Sequence, residues 1–152
     1  MREIIEVNQL SKAYGSLNAV RDLSFAVREA EIYGFLGQNG AGKSTTIRML
    51  LSLIKPDSGS MRLFGMDLRK HRKEILLQTG ALIERPDAYK FLSAYDNLRI
   101  FARMSGLRPR RQELLDQLDL VGLKDRADCR VSSFSQGMKQ RLGIAIALVH
   151  KP

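Results

Sequence analysis

The stretch GQNGAGKST, Gly37 to Thr45, decides how the rest of this chain is read. From Gly37 to Ser44 it fits G-x-x-x-x-G-K-[ST], which arises by chance on the order of once in a few hundred chains of this length. Phosphate oxygens crowd a backbone closely, and successive N–H groups surround them only where side chains are absent. Gly37, Gly40 and Gly42 supply that freedom, with Gln38, Asn39 and Ala41 completing the loop. Lys43 then reaches between the β- and γ-phosphates of a nucleotide, and Ser44 offers its hydroxyl oxygen to Mg²⁺. A helix opening near Lys43 turns its positive end toward the same anion. The motif points to ATP or GTP.

The flanks fit this reading. Before the loop, Ile32 to Leu36 form a short apolar run, expected as a strand buried on both faces. After it, Ile47, Leu50, Leu51 and Ile54 recur at helical spacing, and Lys55-Pro56 is expected to end that helix. Upstream, EIIEV (Glu3 to Val7) reads as a strand, and LSFAV places Leu23, Phe25 and Val27 on one face with period two. Downstream, PDSGS reads as a turn, MRLFG as a strand, RKHRKEILLQ as a helix and GALIE as another strand.

From Arg85 onward helices dominate. SAYD (Ser93 to Asp96) resembles a capping box with Asp in place of Glu, followed by an apolar stripe of Leu98, Phe101, Ala102 and Met104. Gly106 and Pro109 punctuate the chain before a second stripe of Leu114, Leu115, Leu118 and Leu120. The layout is α/β over the first eighty-five residues or so, with a helical insertion after it.

Composition narrows the class further. The chain has 152 residues, 44% of them apolar, which is ordinary globular composition. The longest apolar run, Leu142 to Val149, is far shorter than a membrane span. The N-terminus lacks a signal peptide's apolar region, so a cytoplasmic location is expected. Cys129 is the single cysteine, which excludes an intrachain disulfide. His71 and His150 are expected as surface histidines. The formal charge is +9, concentrated in RKHRK (Arg69 to Lys73) and RPRR (Arg108 to Arg111). Neither cluster is interleaved with aromatics, so solvated faces are expected rather than nucleic-acid binding, with a membrane surface or an acidic partner as the second reading.

A phosphate cradle does not name the reaction. Hydrolysis also needs an acid on the metal side and a group that orients water. The run that could end in such an acid is ALIE, finishing at Glu84. Either Glu84 serves Mg²⁺ in a small self-contained P-loop kinase or GTPase, or the metal-side acid is absent from these residues.

Taken together, GQNGAGKST, the pair Tyr14-Gly15 upstream and FSQGMKQR downstream resemble the nucleotide-binding domain of ABC transporters, across the whole chain and in the family's order. The GALIE and S-x-G-M-x-Q-R stretches are most similar to the drug, bacitracin or lantibiotic exporter branch. The resemblance implies a P-loop NTPase core with an N-terminal antiparallel β-subdomain and an α-helical subdomain. Its divisions would be 1–85, 86–134 and a signature helix over 135–152. It implies that Tyr14 stacks on adenine, that Thr45 adds a phosphate contact, and that Glu84 takes the position of the Q-loop glutamine. Ionised glutamate only accepts hydrogen bonds there, whereas glutamine also donates.

The usual LSGGQ signature reads FSQGM here, from Phe134 to Met138. By resemblance, Ser135, Gln136, Gly137 and Met138 face ATP held by an opposite subunit. The implied partners are a transmembrane permease subunit and a second nucleotide-binding domain, at the cytoplasmic face of the plasma membrane. The implied role is to couple ATP binding and hydrolysis to transport. The family's Walker B aspartate, catalytic glutamate and switch histidine would follow Pro152. Residues 1–152 alone are therefore expected to be an incomplete domain, deficient in hydrolysis and marginally stable. A non-catalytic nucleotide-binding remnant is the remaining reading.

Overall fold

The computed structural model describes residues 2–83 and 88–152. It divides into two compact units, Met1–Leu76 and Leu77–Pro152. Glu84 lies outside the described residues.

The first unit is built on β1 (Glu3–Tyr14) and β2 (Leu17–Arg28), a long hairpin turning at Gly15-Ser16. With β3 (Ser58–Leu63) and β4 (Met66–Asp67) it makes one antiparallel sheet in the order β2-β1-β3-β4. This is the antiparallel subdomain that the family resemblance implies, with both hairpin strands longer than the stretches EIIEV and LSFAV. Val7 and Leu10 are both buried although three residues apart, because the register slips between them and Gln9 adopts φ 47°. A bulge of this kind returns the apolar set to the core face. Val7, Leu10, Val20, Met49, Met61 and Ile75 lie in the resulting core.

Helix α1 (Lys43–Leu50) follows the phosphate loop and is shorter than expected. Instead of running on to Lys55-Pro56, the chain reverses at Ser52, φ 55°, and the Leu53 and Ile54 N–H groups both bond to the Arg48 carbonyl. Its buried positions are Thr46 and Met49, while Ile47 is exposed. Helix α2 is likewise short, Arg72–Leu77, anchored by the fully buried Ile75. The RKHRK cluster lies exposed around its start, as the solvated-face reading expects.

Two expected strands are not formed. Residues 32–36 carry no ladder, and Ile32 and Leu36 are 101% and 92% exposed. A strand buried on both faces needs neighbours on either side for its N–H and C=O groups, and among the described residues no strand pairs with this one. One face does pack: the Phe25 ring lies 5.4 Å from Tyr33 and 5.5 Å from Phe35. Gly80 to Ile83 is likewise outside any ladder.

The second unit is helical. Helix α3 (Ala94–Met104) starts at Ser93, whose Oγ accepts from Asp96 N–H at 3.0 Å and donates to Asp96 Oδ2 at 2.8 Å. Helix α4 (Arg111–Leu120) and helix α5 (Gln136–Leu148) pack against it. Leu98, Ala102, Leu114, Leu118, Leu123 and Leu142 are buried together. Met104 and Leu120, expected in the stripes, are 71% and 78% exposed at the helix ends. Cys129 is half-buried against this core, an ordinary small residue. His71 is exposed, but His150 is not a plain surface histidine: its Nε2 is buried without a partner among the described residues.

Candidate functional site: the phosphate loop

The loop from Gly37 to Gly42 hangs between the packed edge of residues 32–36 and α1. Gly40 and Gly42 have φ of 85° and 84°, the left-handed region that glycine enters without strain. A Cβ on Gly40 would meet nothing, whereas one on Gly42 would run into the Ala19 carbonyl oxygen and approach Val20 Cγ2 to 3.0 Å. Gly42 therefore serves the close approach of α1 to strand β2, a demand that the motif alone does not reveal.

Gly42 also caps α1. Its carbonyl accepts from Thr46 N–H at 2.8 Å and from Thr46 Oγ1 at 3.0 Å. The N–H groups of Lys43, Ser44 and Thr45 precede the first intrahelical bond, so they project from the positive end of the helix. The Ala41 N–H turns inward to the Gln38 carbonyl at 3.2 Å. Lys43 Nζ donates to the carbonyls of Gly37 and Gln38, each at 2.7 Å, and so folds the loop around its own cation.

A cavity of 350 Å³ joins this loop to the tip of the β1–β2 hairpin. It is lined by Tyr14, Leu17 and Ala19 on the sheet side and by Asn39, Gly40, Gly42, Lys43, Ser44 and Thr45 on the loop side. Tyr14 is thus brought beside the phosphate loop although they are more than twenty residues apart in sequence. Its ring is half exposed and has Lys12 Nζ 5.5 Å from its centroid. Lys12 is fixed by Asp57 at 2.7 Å. Lys12 and Asp57 were not legible as site residues, because a pair 45 positions apart carries no local signal. Leu17 and Ala19 follow from the hairpin register, with Tyr14 opposite Leu17.

Among the described residues no cluster of three or more His, Cys, Asp or Glu side chains is placed to hold a metal ion. Ser44 Oγ, exposed at the start of α1, is the described oxygen in the motif's metal position. The glycine cradle, the helix N–H groups without a partner among the described residues and the Lys43 ammonium held at the loop together fit a nucleotide's phosphates.

The FSQGM segment belongs to the second unit. Phe134 is buried, and Ser135 caps α5, its Oγ accepting from Met138 N–H at 3.3 Å. Ser135, Gln136 and Gly137 are exposed, while the Met138 side chain packs partly onto the helical core. A Cβ on Gly137 would meet nothing within 4 Å, so among the described residues no contact requires glycine there.

The family model described as ABC transporter matches residues 20–152, a span containing both the phosphate loop and FSQGM. The chain belongs to the ABC transporter family. It is 48% identical, over all 152 residues, to the bacitracin transport ATP-binding protein BcrA of Bacillus licheniformis, of which it covers 49%. The chain spans about half the length of the curated relatives it matches first. A solved ATP-binding subunit of an ABC transporter superposes with a TM-score of 0.84 at 32% identity, covering 98% of this chain and 63% of that one. A solved structure of cbiO1 from Clostridium perfringens, part of the ABC transporter complex cbiONQ, gives a TM-score of 0.83 at 24% identity, over 99% and 62% of the two chains. The second likeness speaks for the ABC fold alone. Among the described residues no helix is long and apolar enough to cross a membrane.

Proposed function

We propose that this chain is the ATP-binding portion of an ABC-type exporter subunit. The observation that carries the proposal is the cavity that places the Tyr14 ring beside the phosphate loop. An aromatic face holds a base by stacking, and glycine N–H groups and a lysine one loop away hold its phosphates. The family match from 20 to 152 leaves the small kinase or GTPase reading without support, because that reading has no use for FSQGM.

In this reading Tyr14 stacks on adenine, Gly37 to Gly42 wrap the phosphates, and Lys43 exchanges its two carbonyl partners for β- and γ-phosphate oxygens. Thr45 adds a phosphate contact. Ser44 contributes a ligand to Mg²⁺, and Glu84 takes the Q-loop position and offers a second ligand. Bound Mg²⁺ would neutralise charge on the phosphate oxygens. Ser135 to Met138 present the start of α5 to ATP held by a second nucleotide-binding domain. A transmembrane permease carries the cargo, and the chain works on the cytoplasmic face of the membrane beneath it. Relatives named for bacitracin transport favour the exporter branch.

The test is equilibrium binding of a fluorescent ATP analogue with and without Mg²⁺. Charge-assisted hydrogen bonds of this kind contribute roughly 1.5–3 kcal/mol. Lys43→Ala should therefore weaken binding about tenfold to a hundredfold. Tyr14→Ala should reduce affinity for ATP while leaving affinity for pyrophosphate unchanged. Full binding by Lys43→Ala would refute the assignment.

A further inference from the structure

Helix α3 carries Arg99 and Arg103 one turn apart on an exposed face, and the loop that follows brings Arg108 beside them. With Tyr95, Leu107 and Pro109 they line an open depression of 620 Å³ in the helical unit. Like charges at i and i+4 weaken a helix, so the folding of α3 does not call for this pair. From Tyr95 to Glu113 the sequence holds five arginines against two acidic residues.

Some of that charge is already answered. Arg99 lies 2.8 Å from Asp96. Arg111, stacked 4.5 Å over the Tyr95 ring, lies 3.2 Å from Asp128. Among the described residues the guanidinium groups of Arg103 and Arg108 have no hydrogen-bond or ion-pair partner. The parts that hold them are firm. Arg99 and Arg103 follow the fully buried Leu98 and Ala102 on α3, and Arg108 precedes a proline, which restricts its backbone to extended conformations.

We propose that this depression binds a phosphomonoester or pyrophosphate group, at a site separate from the phosphate loop. Arg99 and Arg103 line it from the helix and Arg108 from the loop. A carboxylate offers two coplanar oxygens to a single fork, whereas a phosphate presents three oxygens in different directions and up to two charges. The volume lies among those of small-molecule sites. A soluble phosphorylated molecule and a lipid headgroup share this chemistry.

The experiment is calorimetric titration of the full chain carrying Lys43→Ala with pyrophosphate, repeated after adding Arg103→Gln and Arg108→Gln. Both arginines are exposed, so the variants keep the fold. A pyrophosphate site should survive Lys43→Ala and weaken about tenfold or more in the arginine variant. The arginine pair alone should leave the Lys43-dependent component of ATP binding unchanged, which separates this site from the phosphate-loop reading. In parallel, flotation with phosphatidylcholine vesicles containing phosphatidic acid identifies the source. Retention lost with the same pair assigns a lipid phosphate, and pyrophosphate binding without retention assigns a soluble one. No binding of either probe to the Lys43→Ala chain, or equal binding by the arginine variant, overturns the proposal. So does displacement of pyrophosphate by poly-glutamate at equal concentration, which would mark a docking surface for an acidic protein.

Discussion

The Asp57 carboxylate accepts a 2.7 Å hydrogen bond from the Lys12 ammonium through one oxygen and a 2.7 Å bond from the Ala13 N–H through the other. Asp57 stands just ahead of β3, so it fastens the end of β1 to the neighbouring strand one residue before Tyr14. The aromatic that lines the cavity beside the phosphate loop is thus positioned by a clamp, not only by its strand.

That clamp is sensitive to acid. The Lys12 hydrogen bond, followed by the Ala13 N–H, holds the Asp57 carboxyl below its ordinary value of 3.8. A depressed carboxyl contributes stability that is present above its unfolded value and is lost as pH falls through the lower folded one. Asp57→Asn should therefore have a lower urea midpoint than the parent at about pH 5, and the gap should close as the pH falls below 3.8 through the lowered folded value. A difference between them that does not change with pH would remove the clamp from the account.

Gly40 and Gly42 share a backbone conformation but not a role. An alanine at either position takes the left-handed strain of roughly 1–2 kcal/mol. At Gly42 it also meets the Ala19 carbonyl and Val20, so Gly42→Ala should lose more than about 2 kcal/mol of unfolding free energy. Gly40→Ala faces open space and should lose only the backbone strain, yet still weaken ATP binding because its methyl group enters the cradle. Urea melts and nucleotide titrations on the same two variants separate packing from binding.

This contrast shows where sequence reading reaches and where it stops. The loop, the start of α1 and the cap at Ser135 are local, and their residue types declare them within a few positions. The antiparallel hairpin is also local, and its alternation was readable even though bulges extended it. Residues 32–36 and 80–83 read as strands because of their apolar composition. A parallel strand, however, exists only through neighbours, and apolarity does not supply a ladder. The Lys12–Asp57 clamp, the Gly42–Ala19 approach and the half-buried His150 all depend on distant parts of the chain. Such contacts leave no trace in spacing.

Asn97 is a further case of the same kind. It is fully buried in α3, where its side-chain oxygen accepts from Tyr89 N–H at 2.7 Å. Its amide donates to the Tyr89 carbonyl at 3.0 Å and to the Ser93 carbonyl at 2.8 Å. The side chain thus replaces a strand partner for the segment leading into the helix. Asn97→Ala leaves the Tyr89 N–H without its partner and removes one of two bonds to each of the Tyr89 and Ser93 carbonyls, and should cost about 1–3 kcal/mol in chemical denaturation. Asn97→Asp keeps the acceptor but loses both donations, so it should do no better. A variant as stable as the parent would show that water replaces these bonds.

Gly137 yields the opposite signature. It stands in the first turn of α5, exposed, with open space where a Cβ would point. Alanine is the better helix former by up to about 1 kcal/mol, so Gly137→Ala should leave stability unchanged or raise it slightly. If the face formed by Ser135 to Met138 closes on ATP held by another subunit, the methyl group would stand where a phosphate must approach the backbone. ATP-dependent association of subunits should then fall, while ATP binding at the chain's own phosphate loop stays intact. Sedimentation with and without ATP, alongside a thermal melt, reads both quantities. A stabilised chain that still associates normally would mean that residue 137 is open for no reason connected with nucleotide. A stabilised chain that no longer associates would locate a ligand contact at a position where the fold itself gains nothing from glycine.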